Sequence, residues 1–291
     1  MKYAYFIEIT IEILTLNQLA KYTYKMAARI NYLNNRDIGR EVHKSKNSYS
    51  SYVSDEYAQY DLIVSSLKKI NPAAITQARK NRAARLCYDA WQASLADGRK
   101  TKQSEHEIKP RTIPKTDLIF RVMTWDHVPL APGRKRVPKI KADYHVQVNF
   151  PPFQHWKFAD DGQLVCVGKS HWVGGMENGM FSVTHGKLTN LLAKQFMLLC
   201  ERYSRRANWR GYTYVDEMRS QALLQLSHVA LQFNEAISDN YFGYYTQCIT
   251  ASFTRILNTE KRNQDIRDDI LEMNSMNPSL SRQSKVQDDE E

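Results

Sequence analysis

Apolar residues recur at three- and four-residue steps through most of the second half of the chain. Leu188, Leu191, Leu192, Phe196, Leu199 and Tyr203 form one such series. After a break over Asn208–Tyr212 centred on Gly211, Met218, Ala222, Leu226, Val229, Ala230 and Phe233 form a second. Ser238–Asn240 marks the next break, and Phe242, Tyr245, Ile249, Phe253 and Ile256 form a third series. Such spacing puts each series on one face of an amphipathic helix. A fourth helix is predicted from about Asn263 to Met273. Closer to the N-terminus, residues 30–95 also read as mostly helical. Ser54 or Asp55 is placed to cap a helix carrying Tyr57, Tyr60, Leu62, Ile63 and Leu67. Pro72 suits the first turn of another, running to about Leu95 with Ile75, Ala78, Ala83, Leu86, Tyr88 and Trp91.

Between these helical regions the pattern changes. Residues 97–142 are rich in lysine, arginine and proline, including Arg99, Lys100, Lys102, Lys109, Arg111, Lys115, Arg121, Arg134, Lys135, Arg136, Lys139 and Lys141. Prolines at 110, 114, 129, 132 and 138 break any long helix there. The segment reads as a solvated basic linker or as a stretch that lies along nucleic-acid phosphates. Residues 143–184 read as β-rich: His145–Val148 alternates, Leu164–Val167 is a short apolar run, and Asp161-Gly162 is the turn of a predicted hairpin. The fold class is therefore mainly α, with a helical bundle on the C-terminal side and a smaller, hairpin-containing α+β middle segment. The expected layout is an extension over 1–25, an N-terminal helical element over 26–96, the linker over 97–142, a β-containing insertion over 143–185, a helical domain over 186–274 and a disordered acidic tail over 275–291.

Composition narrows the partners. The 291 residues carry a formal charge of +10 with 42% hydrophobic content, enough for a real core and suited to a polyanion such as nucleic acid. Cys87, Cys166, Cys200 and Cys248 form no CxxC pair and no zinc-ligand spacing, so they read as small buried hydrophobes. Gly168-Lys169-Ser170 ends like a P-loop, but Gln163 stands where its first glycine belongs, and nucleotide binding there is rejected. No apolar run approaches the eighteen or so residues that span a bilayer, and no membrane partner is expected. Glu8 and Glu12 interrupt the apolar start, which argues against a signal peptide; translation is expected to begin at Met26.

The stretch 208–271 is the informative one. It contains Tyr212-Thr213-Tyr214-Val215-Asp216-Glu217-Met218, then Phe242-Gly243-Tyr244-Tyr245-Thr246-Gln247, then Phe253-Thr254-Arg255-Ile256 and Glu260-Lys261-Arg262-Asn263. In order and spacing these motifs resemble region 2 of bacterial sigma factors, above all the late-transcription sigma factors of T-even-type phages and their cyanophage relatives. Tyr32–Asp37 is similar to the N-terminal element of that family. The resemblance covers about 186–283 and 26–60; the segment between has no counterpart in the shorter T-even proteins.

The resemblance implies a transcription initiation factor with no catalytic residue, cofactor or metal. It implies docking on the coiled coil of the largest subunit of a bacterial host's core RNA polymerase through Asp216, Glu217, Arg219, Ser220, Gln221 and Gln225. It implies a grip on an unpaired, AT-rich late-promoter element by the following helix. Flat aromatics beside cations suit exposed bases. Tyr241 and Tyr244 lie off the apolar stripe and are the stacking candidates, whereas Phe242, Tyr245 and Phe253 are predicted core. Gln247, Ser252 and Asn258 are candidates for base edges, and Arg255, Lys261 and Arg262 for phosphates. The expected location is the cytoplasm of the infected bacterium. The family also admits a phage co-activator and the sliding clamp as partners; the tail Ser284–Glu291, with one apolar residue, lacks the hydrophobic clamp-binding motif. Too few residues follow Met273 for an upstream-element helix-turn-helix. Two rivals compete: a free-standing DNA-binding regulator, and a metal-dependent nuclease built from His127, His145, His155, His171 and His185 with Asp143, Asp160 and Asp161.

Overall fold

The computed structural model describes residues 33–99, 101–129 and 148–284. Of these, 54% are helical and 12% lie in strands. The expectations for residues 1–25, for Tyr32 and Lys100, and for Arg134–Arg136, Lys139, Lys141, Asp143 and His145 lie outside the described residues.

The elements are α1 (Asn35–Asn47), β1 (Ser50–Tyr52), β2 (Leu62–Val64), α2 (Pro72–Ala96), β3 (Ile119–Met123), β4 (Phe153–Phe158), β5 (Leu164–Ser170), β6 (Trp172–Val173), β7 (Met180–Phe181), α3 (Asn190–Ser204), α4 (Val215–Val229) and α5 (Tyr241–Met273). Side-chain caps start several of the helices: Asn34, Asn71, Thr189 and Asn240 each accept a first-turn backbone N–H. α1, α3, α4 and α5 form a bundle around Ile38, Val42, Leu192, Phe196, Met218, Ala222, Leu226, Tyr245, Ile249 and Phe253. β1–β5 form a five-stranded sheet in the order β1-β5-β4-β3-β2, antiparallel except for the parallel β2–β3 pair. α2 covers a second core made by Val64, Ala78, Ala83, Ile113, Leu118, Phe120 and Val122.

Five predicted features are corrected. Residues 54–67 do not form a helix: Asp55–Ala58 and Leu67–Lys69 are short 3-10 turns and Leu62–Val64 is a strand. The β-branched run pairs with β3, a partner that local spacing does not reveal. The 97–142 segment is not all linker, because it supplies β3, which sits between β2 and β4. The hairpin turns at Asp161-Gly162 as predicted, with Gly162 at φ +82, but its first strand is β4; Val148 lies in no strand. The third and fourth C-terminal helices are one helix of 33 residues, roughly 50 Å long. Nor is the described part of the tail loose: Ser279 donates from its backbone N and its hydroxyl to the two Asp268 carboxylate oxygens (2.9 and 2.7 Å).

Side chains alternate along β3. Phe120 and Val122 enter the second core, while Arg121, between them, points the other way and is fully buried. Its guanidinium stands 4.0 Å from the centre of the Tyr60 ring and 3.8 Å from that of Phe153. Its Nε donates to His155 Nε2 (3.0 Å) and its Nη2 to His43 Nδ1 (3.3 Å). The other nitrogen of His155 then carries the proton and donates to the Tyr57 carbonyl (2.6 Å). Glu235 is the carboxylate facing this buried charge, 4.0 Å from Arg121, and it accepts from Lys46 Nζ at 2.7 Å. Burial works to raise the Glu235 pKa, but Lys46 and Arg121 outweigh it and hold the carboxyl below its ordinary value. A second buried carboxylate, Asp61, takes Arg85 (2.7 Å), Arg82 (3.4 Å) and the Ile119 N–H (2.9 Å), tying α2 to β3.

Two outcomes follow from these buried charges. Glu235→Gln leaves Lys46 and Arg121 without a counter-charge and is expected to cost about 3–5 kcal/mol, read as a lowered denaturant midpoint; a loss within experimental error contradicts the assignment. Burial, and then Arg121, keeps His43 and His155 well below the ordinary 6.5, and burial first of all brings His127 down to about 4 and His171 to about 3. Between 6.5 and those values the unfolded chain binds more protons than the folded one, so stability falls as pH is lowered. The slope is up to about 1.4 kcal/mol per pH unit for each histidine. The unfolding temperature should drop steeply from pH 6.5 to 5; a flat profile over that range rejects the account.

Candidate nucleic-acid interface on the helical bundle

The sequence candidates fall on two consecutive packed helices. On α4, Met218, Ala222 and Leu226 face the core. Asp216, Glu217 and Ser220 are exposed, and Arg219, Gln221 and Gln225 are half-buried. Tyr214 precedes the helix without giving a side-chain cap, so the two first-turn carboxylates are what complements its open N–H groups. Asp216 is 86% exposed at its side chain and pairs with Arg219 at 2.8 Å, a surface pair that leaves both groups within reach of a partner.

On α5, Tyr245, Ile249 and Phe253 are fully or almost fully buried. Gln247, Arg255, Asn258, Lys261 and Arg262 are all exposed. At 100° per residue these five fall within about a third of the circumference, opposite the core face. They make a polar and cationic stripe a little over four turns long on a single helix.

The other three α5 candidates are placed differently. Ser252 is 6% exposed and its hydroxyl has no partner, so it lies inside the bundle and presents nothing to a base. Tyr241 packs 4.2 Å from the Phe233 ring and against Gly39, where a Cβ would meet the tyrosine ring at 2.6 Å. Tyr244 is half-buried between Phe233 and Tyr245. Burial raises the hydroxyl pKa of both. Phe242, predicted as core, is instead 36% exposed. It opens onto a cavity of about 230 Å³ between α3 and α5, with Leu33, Arg202, Tyr203, Arg206 and Thr246 on its walls. The helical phase of Phe242 does point at the core, but no side chain from α3 fills the space beside the first turn of α5. Phe242 therefore offers a flat apolar surface on the same cavity wall as Arg202 and Arg206. Arg206 lies 4.4 Å above the Tyr203 ring. Sequence reasoning missed this group because Arg202, near the end of α3, and Arg206, just past it, stand about forty residues before Phe242 in the chain.

The histidines of the nuclease reading do not all converge: His127 and His171 both contact the Ser170 hydroxyl (3.4 Å each), and His155 stands apart from them on β4. His155 is bonded to Arg121, His127 contacts the Ser170 carbonyl (2.9 Å), and His171 stacks on Phe150. Asp160 and Asp161 are exposed at the β4–β5 turn. Among the described residues no group of three or more His, Cys, Asp or Glu is arranged to hold a metal ion. No helix among them is long and apolar enough to cross a membrane. No protein-family model, no curated protein and no solved structure matches the chain.

The location of Ser252 has a direct consequence. Ser252→Ala removes a buried hydroxyl that has no partner and should raise stability by about 1 kcal/mol. Chemical denaturation checks it; a loss of 1 kcal/mol or more shows that the hydroxyl has a partner.

Proposed function

We propose that this chain is a sigma-type initiation factor of the phage late-transcription class. In this reading α4 docks on the host core RNA polymerase, and α5 holds one unpaired strand of a short AT-rich promoter element. The polymerase supplies the chemistry, in the host cytoplasm, and the chain supplies position. The observation that carries the reading is the coincidence of motif order with exposure. The Tyr214-Val215-Asp216-Glu217-Met218 motif opens a helix whose first turn is acidic and solvent-facing. The Phe-x-Tyr-Tyr-Thr-Gln and Phe-x-Arg-Ile motifs lie on the next helix, whose exposed stripe is cationic.

The physical requirements agree with this division. A polymerase contact needs polar groups on a rigid surface that does not contribute to the factor's own core, and the outer face of α4 has them. Holding a melted strand needs cations for phosphates and a flat surface for a base, worth roughly 1–3 kcal/mol per stacked base. Arg255, Lys261 and Arg262 supply the first, and Phe242 beside Arg202 supplies the second.

Run-off transcription with bacterial core polymerase on an AT-rich late promoter tests the reading. Arg255→Ala with Arg262→Ala should lower transcript yield about tenfold to a hundredfold, while polymerase co-purification is unchanged. Asp216→Lys with Glu217→Lys should abolish co-purification while the isolated chain still folds, its unfolding temperature lowered by several degrees through the lost complement to the α4 N-terminus. Polymerase retained in full by the charge-reversed chain defeats the docking assignment. Tight binding to duplex promoter DNA without polymerase favours the free-standing regulator instead.

A further inference from the structure

A second cavity, of about 440 Å³, opens where α1, α2 and α3 meet. That volume is within the about 300–1,000 Å³ range of small-molecule sites. Gln195 of α3 forms part of its wall; the residue has no exposed surface, and among the described residues neither its amide nitrogen nor its amide oxygen has a hydrogen-bond partner. A buried amide unpaired at both ends is unfavourable, and such groups in folded chains are ordinarily completed by something. α1 sends Arg36 and Arg40, both exposed, to the same cavity. The Arg36 guanidinium lies 4.4 Å over the Tyr88 ring of α2, which fixes its plane and leaves its N–H edge open. Among the described residues Arg40 has only a distant carboxylate, Asp37 at 3.9 Å, and Glu41 is occupied by Lys44 and the Thr189 hydroxyl (both 2.8 Å).

We propose that this cavity is a nucleotide site, in which the Gln195 amide takes the donor–acceptor edge of a base and Arg36 and Arg40 take its phosphate. An amide offers one donor and one acceptor side by side, the complement of a base edge. The guanidinium fork matches phosphate oxygens in pairs. Lys44 and Gln92, long exposed side chains, line the same cavity, and the proposal requires the wall over Gln195 to open as the nucleotide enters. The same chemistry serves a free nucleotide or one nucleotide of a single strand. The inference does not rest on the reading of α4 and α5, and its test needs no polymerase.

Titration calorimetry of the full chain with AMP, CMP, adenosine, oligo(dA) and oligo(dT) is the test. One nucleotide should bind per chain, with adenosine at least about tenfold weaker than AMP. A response to AMP or CMP assigns a free nucleotide as the source; a response to a single strand alone assigns a strand. Gln195→Leu, of similar volume and without polar atoms, should unfold at the same or a higher temperature and lose at least about tenfold in affinity. Arg36→Ala with Arg40→Ala, both on exposed positions, should erase the preference for AMP over adenosine. No binding by any of the five probes at about 5 mM, affinity unchanged in Gln195→Leu, or a phosphate preference unchanged in the double arginine variant overturns the proposal. If Gln195→Leu does not fold, the double arginine variant decides it alone.

Discussion

A guanidinium with no access to water organises this fold. Arg121 is held between the Tyr60 and Phe153 rings, donates to two histidines and lies 4.0 Å from the Glu235 carboxylate. Removing such a charge from water is costly unless its surroundings compensate, and here they come from distant parts of the chain. β3 supplies Arg121, β4 supplies His155, α1 supplies His43 and Lys46, and the α4–α5 connection supplies Glu235. Each must be in place for the others to be tolerated, so the sheet and the bundle are joined through a polar seam as well as through apolar packing.

That seam reaches the surface proposed to meet nucleic acid. Lys46 donates to Glu235 and also to the Phe233 carbonyl (2.7 Å). Phe233 in turn lies under Tyr241, the first residue of α5. Asn35 closes the same junction from α1: its Nδ2 donates to the Asp239 carbonyl (2.8 Å), and its Oδ1 accepts from the Phe242 N–H (3.0 Å). The start of α5, and with it the exposed Phe242 and the cationic stripe beyond, is therefore positioned by contacts with α1. A strand-holding helix benefits from such rigidity, because a site already in shape spends less binding energy on ordering itself. The tyrosines that look like base-stacking groups in the sequence act here as wedges at this junction.

What the sequence made legible was local. Asn71-Pro72 marks the start of α2, and the apolar series of α3, of α4 and, Phe242 apart, of the first half of α5 are read correctly because each buries one continuous stripe. The exposed polar stripe of α5 was legible for the same reason. The rest depended on partners far away in the chain. Leu62-Ile63-Val64 is too short for its period to separate strand from helix, and its pairing partner, Phe120–Val122, stands 58 residues later. Arg121 sat unnoticed in a run of basic residues, since nothing near it signals burial. Phe242 and Ser252 were misjudged because helical phase gives the direction of a side chain, not whether a neighbouring helix reaches it.

The central claim is that α4 and α5 let a polymerase open a promoter that it does not open alone. Permanganate mapping of unpaired thymines on a late promoter measures this most directly. The account predicts reactive thymines just upstream of a fixed start only when core polymerase and this chain are both present. Thymines that stay unreactive in that mixture, or that react with the chain in the absence of polymerase, would contradict it.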